Sequence, residues 1–165
     1  MVVLLNSSRK KLIILLFINL FFIEFSIAKP IQFEAVIVPK DDKTLAFEDA
    51  SGHIVRLVQR VGKVSGDLPF AGTTMLEWGI HDLQVTDGTG MGYLIFTHAE
   101  RKTIYLKFQW VATGIKDEEG NANFIIGGQW SFDDKTGEHS GLGTLRINIL
   151  SPDERQWIFE GDISG

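Results

Sequence analysis

The chain has 165 residues, a net charge of −5, 44% apolar residues, 17 glycines and no cysteine. An acidic chain of this kind lacks the clustered Lys and Arg that nucleic acids and anionic membrane surfaces call for. Without cysteine, disulfide scaffolding, thiol chemistry and cysteine-linked lipid attachment are excluded.

At the amino terminus, Arg9, Lys10 and Lys11 precede the apolar run Leu12 to Ile23, and a short polar segment ends in Ser26-Ile27-Ala28. This three-part layout is that of a secretory signal peptide. Small residues at Ser26 and Ala28 predict cleavage after Ala28, which divides the chain into a signal peptide over 1–28 and one domain over 29–165. The apolar run is shorter than the roughly twenty residues a spanning helix needs, and Asn19 interrupts it, so no stable membrane anchor is expected. The protein is therefore expected to be exported, periplasmic or secreted. The whole chain has 16 Lys and Arg and 21 Asp and Glu; without Arg9, Lys10, Lys11 and Glu24 these become 13 and 20, a net charge of −7. No Asn-x-Ser/Thr acceptor occurs in 29–165, which together with the missing cysteines favours a bacterial exported protein.

Beyond Ala28 the chain reads as strands. Alternating segments run over Pro30 to Val38, Lys43 to Glu48, His53 to Val61, Thr73 to Val85, Gly90 to His98, Thr103 to Ala112, Phe124 to Asp133, Gly143 to Leu150 and Arg155 to Ile163. The cleanest is Thr103 to Ala112, where Ile104, Leu106, Phe108, Trp110 and Ala112 share one parity. Period two follows from side chains pointing alternately to opposite faces. Turn chemistry separates the segments at Lys40-Asp41-Asp42, Asp49 to Gly52, Asp87-Gly88, Ala99 to Lys102, Asp117 to Gly120, Asp133 to Gly137 and Ser151-Pro152-Asp153. Val64 to Gly72, with Leu68-Pro69-Phe70, is the least strand-like part and predicts a loop whose apolar tip covers one end. Eight or nine strands in a meander close into a barrel or pack as a sandwich to remove exposed edges. Gly79, Gly90, Gly92, Gly127, Gly128, Gly143 and Gly161 inside strand patterns favour a barrel, whose corners demand them. The expected fold is all-β: a single antiparallel eight-stranded barrel, or a nine-stranded one.

Several of these features carry a resemblance. Trp78-Gly79-Ile80-His81-Asp82-Leu83, Gly88-Thr89-Gly90-Met91-Gly92-Tyr93, Gly127-Gly128-Gln129-Trp130-Ser131-Phe132, Gly141-Leu142-Gly143-Thr144-Leu145 and Trp157-Ile158-Phe159-Glu160-Gly161 occur in that order. In this order they resemble the allene oxide cyclase-like barrel proteins, including exported bacterial members. The resemblance implies an eight-stranded barrel with a cavity for an apolar ligand, and assembly into a homo-oligomer, a trimer or a dimer. The turn Asp133-Asp134-Lys135-Thr136-Gly137 departs from the glycine-rich form of that family, and no catalytic residue of the plant cyclase matches onto this chain.

Candidate site residues follow from parity. Asp82 shares the parity of Trp78 and Ile80, taken as inward. It would orient a polar ligand group or act as an acid or base inside the barrel, or else lie at the rim. Trp78, Trp110, Trp130 and Trp157 fall on the apolar parity of four different strands and would either line a pocket or fill the core. Glu77, Glu160 and Asp162 are expected on the outer face, along with the apolar residues Met75, Tyr93, Ile95 and Ile158, a candidate oligomer surface. The spacings of His53, His81, His98 and His139 match no metal-ligand pattern. No nucleophile-elbow, phosphate-loop or dinucleotide motif occurs, so no cofactor is expected. The leading expectation is a barrel that binds a small, largely apolar ligand with Trp78, Asp82, Trp110, Trp130 and Trp157 as lining. A cyclase- or isomerase-type enzyme and a filled structural barrel remain alternatives.

Overall fold

The computed structural model describes residues 28–48, 52–99, 103–116, 122–133 and 139–164. Apart from Ala28, the expected signal peptide lies outside these residues, as do the turn positions 49–51, 100–102, 117–120 and 134–137. Among the described residues nine strands form: β1 (Lys29–Pro39), β2 (Lys43–Ala46), β3 (Ile54–Gly66), β4 (Thr74–Leu83), β5 (Asp87–Thr97), β6 (Thr103–Lys116), β7 (Ala122–Phe132), β8 (Ser140–Ile149) and β9 (Arg155–Ser164).

Every neighbouring pair is antiparallel, in the order β1-β9-β8-β7-β6-β5-β4-β3-β2, and β1 also pairs with β3, which closes eight strands into a barrel. The ninth strand, β2, has a simple origin. β1 pairs with β3 from Phe33 opposite Gly66 to Pro39 opposite Arg60, and β2 takes over from Lys43 opposite Leu57 to Ala46 opposite Ile54. Between them the Lys40 and Asp41 amides both reach the Gln59 carbonyl, at 2.7 and 3.0 Å. Asp42 accepts from Arg60 Nε at 3.3 Å and Nη2 at 2.9 Å. The kink thus lets one stretch of chain cover the whole edge of β3, blunting what would otherwise be an open template for strand addition.

The inward residues divide the barrel into two halves. At one end Ile31, Phe33, Val64, Met75, Leu94, Phe96, Leu106, Trp130 and Phe159 are buried. The turn after β3 closes this end, with Phe70 fully buried among them. Phe33 stacks on both Phe70 and Phe159, with ring centroids 4.0 and 4.4 Å apart, and Phe96 meets Phe70 edge-on at 4.9 Å. The turn is held by the Phe70 and Ala71 amides on the Asp67 carbonyl, and by the Gln32 amide on the Asp67 carboxylate at 2.8 Å. Of the expected apolar tip only Phe70 enters; Leu68 stays 70% exposed.

Two glycines show why this chain coils so tightly. A Cβ on Gly90 would stand 2.2 Å from Cε2 of the Trp110 indole, and one on Gly92 would stand 2.1 Å from the Trp78 carbonyl. Only glycine allows these approaches between neighbouring strands.

β4 overturns part of the expected parity. Met75, Glu77 and His81 point inward and are buried, with Met75 and Glu77 fully so, whereas Trp78 and Ile80 are half exposed on the outside. Met75 and Glu77 are therefore not outer-face residues. Both faces of β4 carry apolar side chains, so counting them does not select the inner one. Available volume does: at Gly79, between Glu77 and His81, a Cβ would already sit 3.0 Å from the Phe108 ring, leaving no room there for an indole. Outside, Trp78 lies across from Tyr93 and Ile80 across from Met91 and Leu57, and such cross-strand neighbours shield one another.

Candidate functional site

The other half of the barrel is not filled. A cavity of about 170 Å³ lies at the end where β4, β6 and β8 finish. Its apolar wall is Trp110 and Ala112 from β6, Phe124 and Ile126 from β7, Ile147 and Ile149 from β8, and Trp157 from β9. Trp157 is fully buried, meeting Phe108 edge-on at 5.1 Å and lying 5.9 Å from Phe159, and so separates the cavity from the packed half.

The opposite wall is polar. Arg56 and Arg60 on β3 face His81 and Glu77 respectively on β4, and Arg155 enters from the start of β9. Strand geometry explains the grouping, since residues four apart on one strand share a face, and antiparallel register sets the two pairs opposite one another. The His81 Nε2–H donates to Glu77 Oε1 at 2.8 Å, both side chains being buried, and the His81 ring edge contacts Trp110 at 4.8 Å. A carboxylate accepts only, so this bond engages Nε2 and leaves His81 Nδ1 outside the pair. Glu77 Oε2 and the indole nitrogens of Trp110 and Trp157 are buried without a hydrogen-bond partner. Such groups are costly unless something satisfies them.

The guanidiniums differ in their engagement. Arg60 is committed to Asp42. Arg56 donates from Nε to Thr44 Oγ1 at 3.2 Å, and Arg155 donates from Nη1 to the Ser151 and Glu154 carbonyls. Among the described residues neither has a carboxylate within ion-pair distance. Burial, then the like charges of Arg60 and Arg56, hold the Arg155 guanidinium below its ordinary pKa, against the opposing pull of Asp153 and Glu77.

The residues expected at the site from sequence separate into three groups. Trp110 and Trp157 line the cavity, whereas Trp130 belongs to the packed half, with its indole N–H on the Thr144 carbonyl at 3.1 Å. Trp78 and Asp82 are not inside. Trp78 is 52% exposed, and Asp82 lies on the outer face near the end of β4, bound to His53 Nε2 at 2.7 Å. Their displacement follows from the reversed parity of β4. The same reversal hid Glu77 and His81, whose i, i+4 spacing on a strand is the signal that marks them as face-sharing. Arg56 and Arg60 carried an equivalent signal, sharing the parity of buried Val58. Among the described residues no three His, Asp or Glu side chains gather as a metal site.

A broader outer depression, about 1040 Å³, spreads over β3 to β8 and includes Leu57, Trp78, Ile80, Met91, Tyr93 and Leu142. It is the larger space, but it is an open surface without the unpartnered buried groups of the cavity.

No family model matches the chain, and no curated protein is significantly similar to it. Among solved structures, a protein of unknown function from Clostridium acetobutylicum is similar at 13% identity and a TM-score of 0.52, covering 84% of this chain and 99% of that one. A conserved protein of unknown function from Rhodopseudomonas palustris has 10% identity and a TM-score of 0.47, covering 83% and 97%. The first likeness is one of fold.

Proposed function

We propose that the protein binds a small ligand with an apolar body in the open half of its barrel. One observation carries this reading: a cavity of about 170 Å³ walled by Trp110, Trp157, Phe124, Ile126 and Ile147, beside a half that is packed solid. Cavities of about 150 Å³ with apolar linings accept benzene-sized guests. The space is below the several hundred Å³ of drug-sized pockets, so it suits one ring or a short branched chain. Both lining tryptophans report on occupancy. Titrating the protein with benzene and benzyl alcohol should give a saturable change in tryptophan fluorescence, lost on replacing Ile126 with Trp to fill the space. A wild-type response that is absent, or unchanged in that variant, rejects the reading.

A second reading is favoured by the Glu77–His81 pair. A carboxylate that fixes one ring nitrogen while the other stands outside the pair is an arrangement suited to moving a proton. An isomerase-type activity of the allene oxide cyclase-like kind would use it. Ligand recovered after long incubation should then be rearranged by the native protein and unchanged by a Glu77→Gln variant; ligand recovered intact from both leaves binding alone.

Export belongs to the same proposal. Its support is the signal-like segment over 1–28, together with β1 beginning at Lys29, so that cleavage after Ala28 leaves every described strand in place.

A further inference from the structure

Within that binding reading, on which the following rests, the polar wall adds a requirement of its own. We infer that the cavity selects small aromatic or branched aliphatic monocarboxylates, with the carboxylate held by Arg56 and Arg155 and the apolar body against Trp110, Trp157, Ile126 and Ile147.

Two independent observations converge on this class. Two guanidiniums that line the cavity, Arg56 and Arg155, have neutral partners only, a threonine hydroxyl and backbone carbonyls. Guanidiniums in partly buried surroundings that are not paired with a carboxylate keep their planar forks available, and such a fork matches a carboxylate in two parallel bonds. Next, the wall opposite the arginines is wholly apolar and its volume admits about ten non-hydrogen atoms, comparable to a benzene-sized guest with a small head group.

The nearby acids narrow the charge. Glu77 lies buried behind His81 with Oε2 unpartnered, and Asp87 stands at the exposed rim. Like charges so close penalise a dianion such as phosphate far more than a monoanion. A ligand carboxylate beside Arg155 also relieves the mutual repulsion of the three guanidiniums.

Calorimetric titration of the protein with benzoate, benzyl alcohol and inorganic phosphate tests the inference. Benzoate is expected to bind at least about tenfold more tightly than benzyl alcohol, a difference typical of charge-assisted hydrogen bonds, and phosphate not at all. Arg155→Gln and Arg56→Gln, on different strands, should each erase the preference for benzoate while leaving benzyl alcohol binding in place. Equal binding of benzoate and benzyl alcohol overturns the carboxylate inference and leaves the apolar cavity standing. Phosphate competing with benzoate at similar strength overturns it too, by showing an oxyanion site indifferent to the ligand's body. Binding of none of the three overturns both this inference and the binding reading. Should either variant fail to fold, as judged by circular dichroism, the other variant and the wild-type comparison still decide.

Discussion

Gly90 and Trp110 show how single residues shape this barrel. The indole edge of Trp110 lies where a Gly90 side chain would stand, 2.2 Å from the position of its Cβ, and the same indole forms part of the cavity wall. Glycine at this point lets β5 pass close behind a large inward aromatic, joining a backbone requirement to the shape of the site. Gly90→Ala should therefore cost roughly 2 kcal/mol, the usual scale of overpacking in a core, and blunt the fluorescence response to ligand as Trp110 shifts. Chemical denaturation of the variant beside the native protein checks this; equal midpoints would mean that Trp110 has room to move. At the same scale, Glu77 and His81 were present in the sequence as an i, i+4 pair, yet legible as partners only once their parity was known. The outward pair Trp78 and Ile80 supplied the stronger apolar signal on the same strand and pointed the wrong way.

Elements divide the labour between the two halves. β1, β5 and β9 send Phe33, Phe96 and Phe159 to the turn that follows β3, and Phe70 completes that cluster. The packed end is closed by that turn, while the other end, where β3, β4 and β9 contribute Arg56, Arg60, His81 and Arg155, holds the cavity. Phe70→Ala should destabilise the protein by about 3–5 kcal/mol, as large-to-small changes of buried Phe do, without altering the ligand specificity of the distant cavity. A change below about 1 kcal/mol in thermal or denaturant unfolding would show that the turn is not part of the core. This element was half legible in advance. Leu68-Pro69-Phe70 marked an apolar loop tip, but which of its residues enters depends on the path of the turn, and that path is set by Asp67 holding the Phe70, Ala71 and Gln32 amides.

For the molecule as a whole, closure between β1 and β3 makes the interior a shared property of strands far apart in sequence. Lys29 is the first residue of β1 and pairs with Ile163 of β9, so the ladder that completes the barrel begins directly after the proposed cleavage point. Protein recovered from the exported fraction should accordingly begin at Lys29 by intact-mass measurement. A chain retaining residues 1–28 there would reject cleavage, and its absence from that fraction would reject export. The acidic net charge of the full chain, −5, coexists with a cationic wall inside the barrel. Overall composition therefore excluded a basic surface but said nothing about local charge within the cavity.

Residue order alone determined where the strands fall, because period-two alternation is local, whereas Asp87-Gly88, expected as a turn, begins β5, and Val64 to Gly66, expected in a loop, ends β3. All nine segments are present, most with boundaries moved by a few residues, and the parity of β6 is as its alternation requires. Tertiary structure decided everything that depends on which side of a strand is inside. β4 is apolar on both faces, and with the Phe108 ring crowding the inner side at Gly79, Trp78 and Asp82 lie outside and Glu77 and His81 inside. It also decided that the barrel is half filled, since the aromatic rings and the plugging Phe70 consume the interior from one end. The arginines of β3 and β9 meet for a similar reason. They stand nearly one hundred residues apart in the chain, and only closure of the sheet brings them to one wall.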